Sequence, residues 1–365
     1  MFSHNGKVSG RQMMILLILQ MFNMNLLIIP RICTQYLGRN GYIAPIIAII
    51  IGVIYLFIIT GLTLRFPDFT FAEISKHLLP NSIAYILILL LCVKFIISTG
   101  LEVRMFTEVI AQVMLPKTPK SVIMIVLLLT VAYLVKSGVE AIARMGEVII
   151  YFVIVPLIIV LLMIIFRVEY KEIMPFFQIS PREVLAGTGL TSFIFIPLEV
   201  LLVFNGLMNK PEEIKKVGVK AIITIGIIEG IITLLCITQC GVKEIKNQIW
   251  PVIVLMKSIG LNNSVQENQE MLMLIVWIFS IFMNVSISIL SISLLGSRSC
   301  NFKRENVFVL PVLPIILLIA LLPHDLGRVY TYYLNFQYYY GIWFVMPIPL
   351  ILLLIAKIKH NIEFK

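Results

Sequence analysis

Charge is scarce in this chain. Only 13% of its 365 residues are Asp, Glu, Lys or Arg, while 60% are hydrophobic. A soluble globular protein carries about a quarter charged residues, so the shortage excludes that class. Histidine is scarcer still: His4, His77, His324 and His360 lie at termini or at the ends of apolar runs. No HExxH, GxSxG or GxxxxGK[ST] string occurs, so metal-assisted hydrolysis, histidine acid–base chemistry and phosphate cradling have no evident centre. An enzyme is not expected, and neither is a metal or cofactor. The five cysteines (Cys33, Cys92, Cys236, Cys240, Cys300) are odd in number and mostly inside or beside apolar runs. They read as small buried hydrophobes rather than a disulfide framework. Cys236 and Cys240 share a helix face, but no nearby His completes a metal set.

What the chain does have is apolar length. A mean hydropathy of +1.02 is that of a polytopic membrane protein, because lipid tolerates apolar side chains on every face of a helix. The net charge of +10 does not indicate a nucleic-acid partner. The basic residues are scattered between apolar runs, the pattern of cationic loops held in the cytoplasm. The partner this composition implies is the bilayer. At roughly 20 residues per span there is room for about ten helices and no sizeable soluble domain.

Charge-poor stretches place spans at 13–30, 42–64, 82–113, 121–136 and 142–166, then at 184–208, 217–240, 271–296, 306–323 and 338–357. The run after Lys7 and Arg11 resembles a signal peptide. It lacks a small-residue cleavage site, however, and Pro30 and Arg31 close a full-length span, so it reads as an uncleaved first helix. Trp250 to Gly260 is half a span and reads as a surface or re-entrant helix. Ten spans with the N-terminus inside place sixteen Lys and Arg on the inner side and eleven on the outer, which favours both termini in the cytoplasm. Tyr330, Tyr332, Tyr333, Tyr338, Tyr339, Tyr340 and Trp343 fit an outer interfacial belt, with an aromatic ligand box as the alternative.

The chain divides nearly in half: 1–166 holds the first five helices, 167–183 is a polar connection, and 184–365 holds the second five. Halves with an odd number of helices have opposite orientations, the arithmetic of a 5+5 inverted-repeat transporter fold. The first helix of each half should then be discontinuous and carry the binding site. The first span holds Gln20, Asn23 and Asn25, amides for which lipid offers no partner; helix adhesion and ligand binding both account for them. The sixth holds Ser192, Phe193, Phe195, Pro197 and Glu199. Pro197 removes a backbone donor and frees a carbonyl one turn back. A carboxylate beyond that break, Glu199, is costly unless paired or functional, and it is read as contacting a substrate amine or holding a proton.

Lys94, Ser98, Glu102, Arg104 and Glu108 lie in the third span. The step from Lys94 to Glu102 keeps both within about 80 degrees of one helix face, and Arg104 and Glu108 are four apart. Structural ion pairing and charge coupling are the readings for this group. Glu140, Arg144 and Glu147 open the fifth span at pairing distances. Glu229 lies centrally in the seventh, between Gly226 and Gly230, as a proton site or a paired residue. Asn284 and Ser288 belong to a polar seam in the eighth, open to close packing or to an ion or ligand contact. Lys210, Lys215, Lys216 and Lys220 cluster after the sixth, as a solvated loop or a docking surface.

Several segments in order resemble the endospore germination permease family, the B subunit of nutrient germinant receptors, within the amino acid–polyamine–organocation transporter superfamily. They are SGRQ at 9–12, LPKTP at 115–119, GVEAIARMGEVI at 138–149, IMPFFQISPREVLAGTG at 173–189, SFIFIPLEV at 192–200 and IWPVIVLMKSIGL at 249–261. The resemblance implies a ten-helix inverted-repeat fold in a spore inner membrane. It implies binding of a small nutrient, often an amino acid, and work with an A-type membrane subunit and a C-type lipoprotein. It places the binding site among the first, third, sixth and eighth spans. Two departures stand out: Asn23, Met24 and Asn25 where relatives have a small residue or glycine, and Lys257 with QENQE at 266–270 where relatives have Arg and a later Glu-Arg pair. An amino acid permease coupled to protons through Glu199 or Glu229 is the alternative function.

Overall fold

The computed structural model describes residues 6–165, 180–260 and 269–363. Among these the elements are helices, joined by one isolated parallel bridge between Val8 and Met208. The first span is two helices, α1a (Gly10–Phe22) and α1b (Asn25–Leu37), bent by 54°. There follow α2 (Ile43–Thr63), α3 (Asn81–Val113), α4 (Lys120–Lys136) and α5 (Val139–Ile165). The sixth span is also composite: α6a (Pro181–Thr191), a 3-10 stretch Ser192–Glu199, and α6b (Val200–Phe204). Next are α7 (Ile214–Asn247), α8 (Gln269–Ser299), α9 (Val309–Leu321) and α10, which runs from Leu326 through a π turn at Gln337–Gly341 to Pro347–Glu363. Eight spans are long and apolar enough to cross a bilayer, counting the bent pair as one. The short α4 and α9 occupy the fourth and ninth expected positions. This is a multi-pass membrane protein.

The packing obeys an internal exchange of each helix for the one five places along the chain. Helix α5 packs on α8 as α10 packs on α3; α9 on α3 as α4 on α8; α1 on α7 as α6 on α2; and α1 on α5 as α6 on α10. Pairs that map onto themselves, α1 with α6, α2 with α7, α3 with α8 and α4 with α9, are also in contact. That pattern is the 5+5 repeat, visible in contacts although it is not visible in residue identities. Spans α6 and α8 form the core, with 83% and 78% of their apolar windows buried against 28% for α5. The outer helices expose apolar stripes, such as Ile46, Ile50, Ile54 and Phe57 on α2, at helical spacing toward lipid.

Three expectations need correction. Pro30 and Arg31 do not close the first span: α1b continues to Leu37. Proline at that position omits only the bond to Leu26, and Thr34 donates its hydroxyl to the Pro30 carbonyl at 2.6 Å. The helix ends where Gly38 adopts φ +55, a left-handed conformation suited to glycine. The tenth span starts at Leu326 rather than 338, so part of the tyrosine cluster is helix interior and not an interfacial belt. Tyr333 is buried and Tyr330 lies against Arg31, whose guanidinium is 5.0 Å from its ring centroid, while Tyr332, Tyr338, Tyr339, Tyr340 and Trp343 remain exposed. The seventh span extends to Asn247 across a kink at Gly241. The apolar half-span is a helix, Pro251–Gly260, packed on α7, α1b and α8. The connection 166–179 lies outside the described residues.

One face is tied shut. Val8 donates its N–H to the Leu207 carbonyl at 2.7 Å and Asn209 donates to the Val8 carbonyl at 2.9 Å, joining the entry of α1a to the exit of α6b. Beside it, the Asn205 amide nitrogen lies 2.8 Å from the Phe66 carbonyl and 3.2 Å from those of Thr63 and Phe69, pinning the turn after α2. The Thr63 and Phe66 carbonyls keep their backbone donors, the N–H groups of Phe66 and Phe69, so removing the amide costs the side-chain bonds themselves, about 0.5–1.5 kcal/mol each. Thermal unfolding in detergent should therefore show Asn205→Ala lowered in Tm, and Asn205→Asp lowered further, because it presents a carboxylate to carbonyl oxygens. Equal Tm for Asn205→Asp and wild type would remove the nest from the account.

Candidate functional site

Both composite helices break at the same depth, and for local reasons. At Asn23 the backbone leaves the helical region (φ −40, ψ −116), and α1b restarts at Asn25. In the sixth span Pro197 lacks the N–H that an α-helix would direct at the Phe193 carbonyl, and the chain winds as a 3-10 helix for eight residues. Such runs rarely exceed 3–4 residues, and within a helix they often mark a hinge. One side chain stitches the two breaks: the Asn25 amide donates to the Met21 carbonyl at 2.7 Å and lies 3.4 Å from the Ile194 carbonyl.

Around the breaks is a closed cavity of about 20 Å³, with walls from α1, α3, α6, α8 and α10. Of the residues singled out from sequence, it brings together Asn23, Asn25, Lys94, Ser98, Glu102, Phe193, Pro197, Glu199, Asn284 and Ser288. Ser192 and Phe195 do not line it. The Ser192 hydroxyl donates to the Gly189 carbonyl at 2.7 Å and is 3.3 Å from the Tyr55 hydroxyl, and Phe195 is buried against Gly52 of α2. Glu229 is elsewhere, fully buried on α7, and neither of its carboxyl oxygens has a hydrogen-bond partner among the described residues.

Lys94 does not pair along α3 with Glu102, as its spacing suggested. Its ammonium donates to Glu199 across the cavity, joining α3 to the end of the 3-10 stretch. Glu102 instead accepts from the Tyr333 hydroxyl at 3.2 Å, with Asn23 beside it on the cavity wall. The Gln337 amide donates to Ser98 at 3.4 Å. Ser98 and Glu102 are four apart on α3, as are Tyr333 and Gln337 on α10, so two rungs join antiparallel helices. On the opposite wall the Gln20 amide donates to Ser288 at 3.3 Å, and Ser288 donates to Asn284 at the same distance. Away from the cavity, Glu108 accepts from Arg104 at 2.9 Å, as the spacing indicated, and from Lys120 at 2.8 Å.

Sequence reasoning does not reach Phe95 or Gln337, and with α10 beginning at 338 it names Tyr333 only within the aromatic alternative; Gln20, named among the first-span amides, does line the cavity. The available signal was the four-residue spacing of Tyr333 and Gln337, which repeats that of Ser98 and Glu102. Removing one partner of a buried ion pair costs about 3–5 kcal/mol because the other charge is stranded, whereas replacing both by apolar groups is often neutral. Lys94→Met should accordingly lower the Tm in detergent by several degrees, and Lys94→Met with Glu199→Leu should recover most of it. A single variant as stable as the double would show that the pair bears no structural weight.

Comparison with known proteins agrees with this architecture. The family model described as Spore germination protein, a spore permease model, matches residues 7–329. Spore germination protein YndE of Bacillus subtilis (strain 168) is 24% identical over 371 residues, covering 100% of both chains. Spore germination protein GerLB of Bacillus cereus is 22% identical over 91% of this chain and 89% of its own length. Among solved structures, a Na⁺-coupled sialic acid symporter superposes with a TM-score of 0.62 at 12% identity, covering 93% of this chain and 75% of the symporter. An Eremococcus coleocola manganese transporter gives 0.55 at 12% identity, covering 93% and 77%. The fold is thus that of transporters. The family match begins before the first broken helix and ends at residue 329, in the first turn of the tenth span, so it takes in both breaks and the wall helices α1, α3, α6 and α8, and the chain belongs to the Spore germination protein family.

Proposed function

We propose that this chain is the B-type membrane subunit of a spore germinant receptor, which binds a small nutrient, an amino acid or related amine, and signals germination. The observation that carries the reading is the closed polar cavity between two helices broken at the same depth. Charges and amides are buried there at a depth where each ionisable group costs about 2.5–3.5 kcal/mol on insertion scales, and five helices contribute its walls. A volume of about 20 Å³ holds roughly one water. A nutrient enters only if α1 and α6 move, so occupancy is coupled to their geometry, which is what a sensor requires. The family relationship supports residence in the spore inner membrane and work beside an A-type membrane subunit and a C-type lipoprotein. Ten spans would leave both termini on one side, and the excess of basic residues in the corresponding loops supports the cytoplasm as that side.

The second reading, a proton-coupled amino acid permease, is favoured by the transporter fold and by Glu229, a buried carboxyl with no hydrogen-bond partner among the described residues. Purified protein in proteoliposomes separates the two. The receptor reading expects saturable binding of an amino acid or amine without accumulation when a proton gradient is imposed. Gradient-driven uptake of the bound compound would instead make the protein a permease. Ser98→Leu, which fills the cavity, should abolish binding in either case while leaving membrane insertion normal; retained binding would move the ligand site elsewhere.

A further inference from the structure

The polar atoms left without a partner around the cavity are all of one kind. Gln20 Oε1, Asn23 Oδ1, Glu199 Oε2 and Gln337 Oε1 are buried, and none has a hydrogen-bond donor. No nitrogen lining the cavity is in that condition among the described residues. A site of orphaned acceptors is completed by a ligand that brings donors.

The charges point the same way. Three ionisable chains other than Tyr333 line the cavity, the carboxylates Glu102 and Glu199 and the ammonium of Lys94. Lys94 is already committed to Glu199. Glu102 forms no ion pair among the described residues: its hydrogen-bond donor is the neutral Tyr333 hydroxyl, and the Lys94 ammonium acts on it only at longer range. Of the two carboxylates, only Glu102 lacks a direct ion pair among the described residues. Breaking the Lys94–Glu199 pair to receive a ligand strands a buried charge, while drawing Glu102 onto an incoming cation disturbs only neutral hydrogen bonds.

We propose that the cavity recognises its ligand through an ammonium group held by Glu102, with the amide oxygens of Gln20, Asn23 and Gln337 completing its donors, while Lys94 and Glu199 remain paired. An ammonium carries three N–H donors and one positive charge: one donor and the charge meet Glu102, and the other two donors are shared among the orphaned amide oxygens. Glu102 rather than Glu199 is then the determinant of specificity for the cationic head. The site takes amines, including amino acids through the α-amino group, and rejects carboxylic acids and polyols of the same size.

This inference rests on the central-cavity reading above, and the test keeps the two apart. Purified protein is screened by direct binding against the twenty L-amino acids. Each binder is then compared with its decarboxylated amine and its deaminated acid. Wild type should keep the amine and lose the acid by tenfold or more. Glu102→Gln should weaken amine binding at least tenfold with an unchanged Tm, and Glu102→Asp should restore part of it. An acid that binds as well as its amine, or an unaltered affinity in Glu102→Gln, overturns the proposal, as does a screen in which no ammonium compound binds. If Ser98→Leu abolishes binding while Glu102→Gln does not, the central site stands and only the ammonium assignment falls. If neither variant matters, both readings fall together.

Discussion

A single buried ion pair holds the centre of this protein together. Lys94 comes from the long, continuous α3 and Glu199 from the end of the 3-10 stretch in the sixth span. Lipid supplies neither counter-charge nor hydrogen bonds, so each ion is tolerable only where the other is. The pair thereby fixes the rotation of α3 and the depth of the α6 break. Once those are set, Ser98 and Glu102 face Tyr333 and Gln337 of α10, and the Asn25 amide reaches the α6 backbone.

The same absence of water explains why the breaks are built from side chains rather than left open. A helix interruption exposes backbone groups that hydrocarbon cannot satisfy. Asn25 answers this at α1 by bonding the Met21 carbonyl, and in α6 the Ser192 hydroxyl takes the Gly189 carbonyl. The 3-10 winding keeps the chain hydrogen-bonded where Pro197 forbids an α-helical bond. Asn25 thus satisfies backbone at both breaks, while Asn23 presents its polar atoms to the cavity.

Much of the architecture was legible from residues. Ten spans, their approximate limits and the two interruptions follow from hydropathy, proline and the amides of the first span, since lipid makes charge-poor runs of 20 residues unambiguous. Contacts between spans were less legible. Helical spacing put Lys94 and Glu102 on one face of α3, but the partner that Lys94 takes comes from 105 residues away, and no local pattern encodes that. Pro30 was read as a terminator because in water it commonly is one; within a packed bundle the loss of one bond is borne. The tyrosines of α10 were read by composition as a belt. Burial separates Tyr333 from its exposed neighbours Tyr332 and Tyr339, and only the register of α10 against α3 decides which tyrosine turns inward.

The cavity is closed by contacts between the same two spans on both of its sides. On one side the Val8–Met208 bridge holds α1a to the exit of α6b. On the other, Gly187 of α6a meets Leu37 of α1b, where an added Cβ would lie 2.9 Å from the leucine, and Cys33 is 3.5 Å from Thr191. Both closures are contacts between the first and sixth spans, so opening either side changes the relation of the same two helices. The two closures differ in kind: backbone hydrogen bonds on the side of the N-terminus, and side-chain packing with one weak sulfur contact on the other. A ligand bound at the breaks would pull on α6, and α6b would transmit that pull through Asn205 to the turn after α2, at the face where the bridge lies.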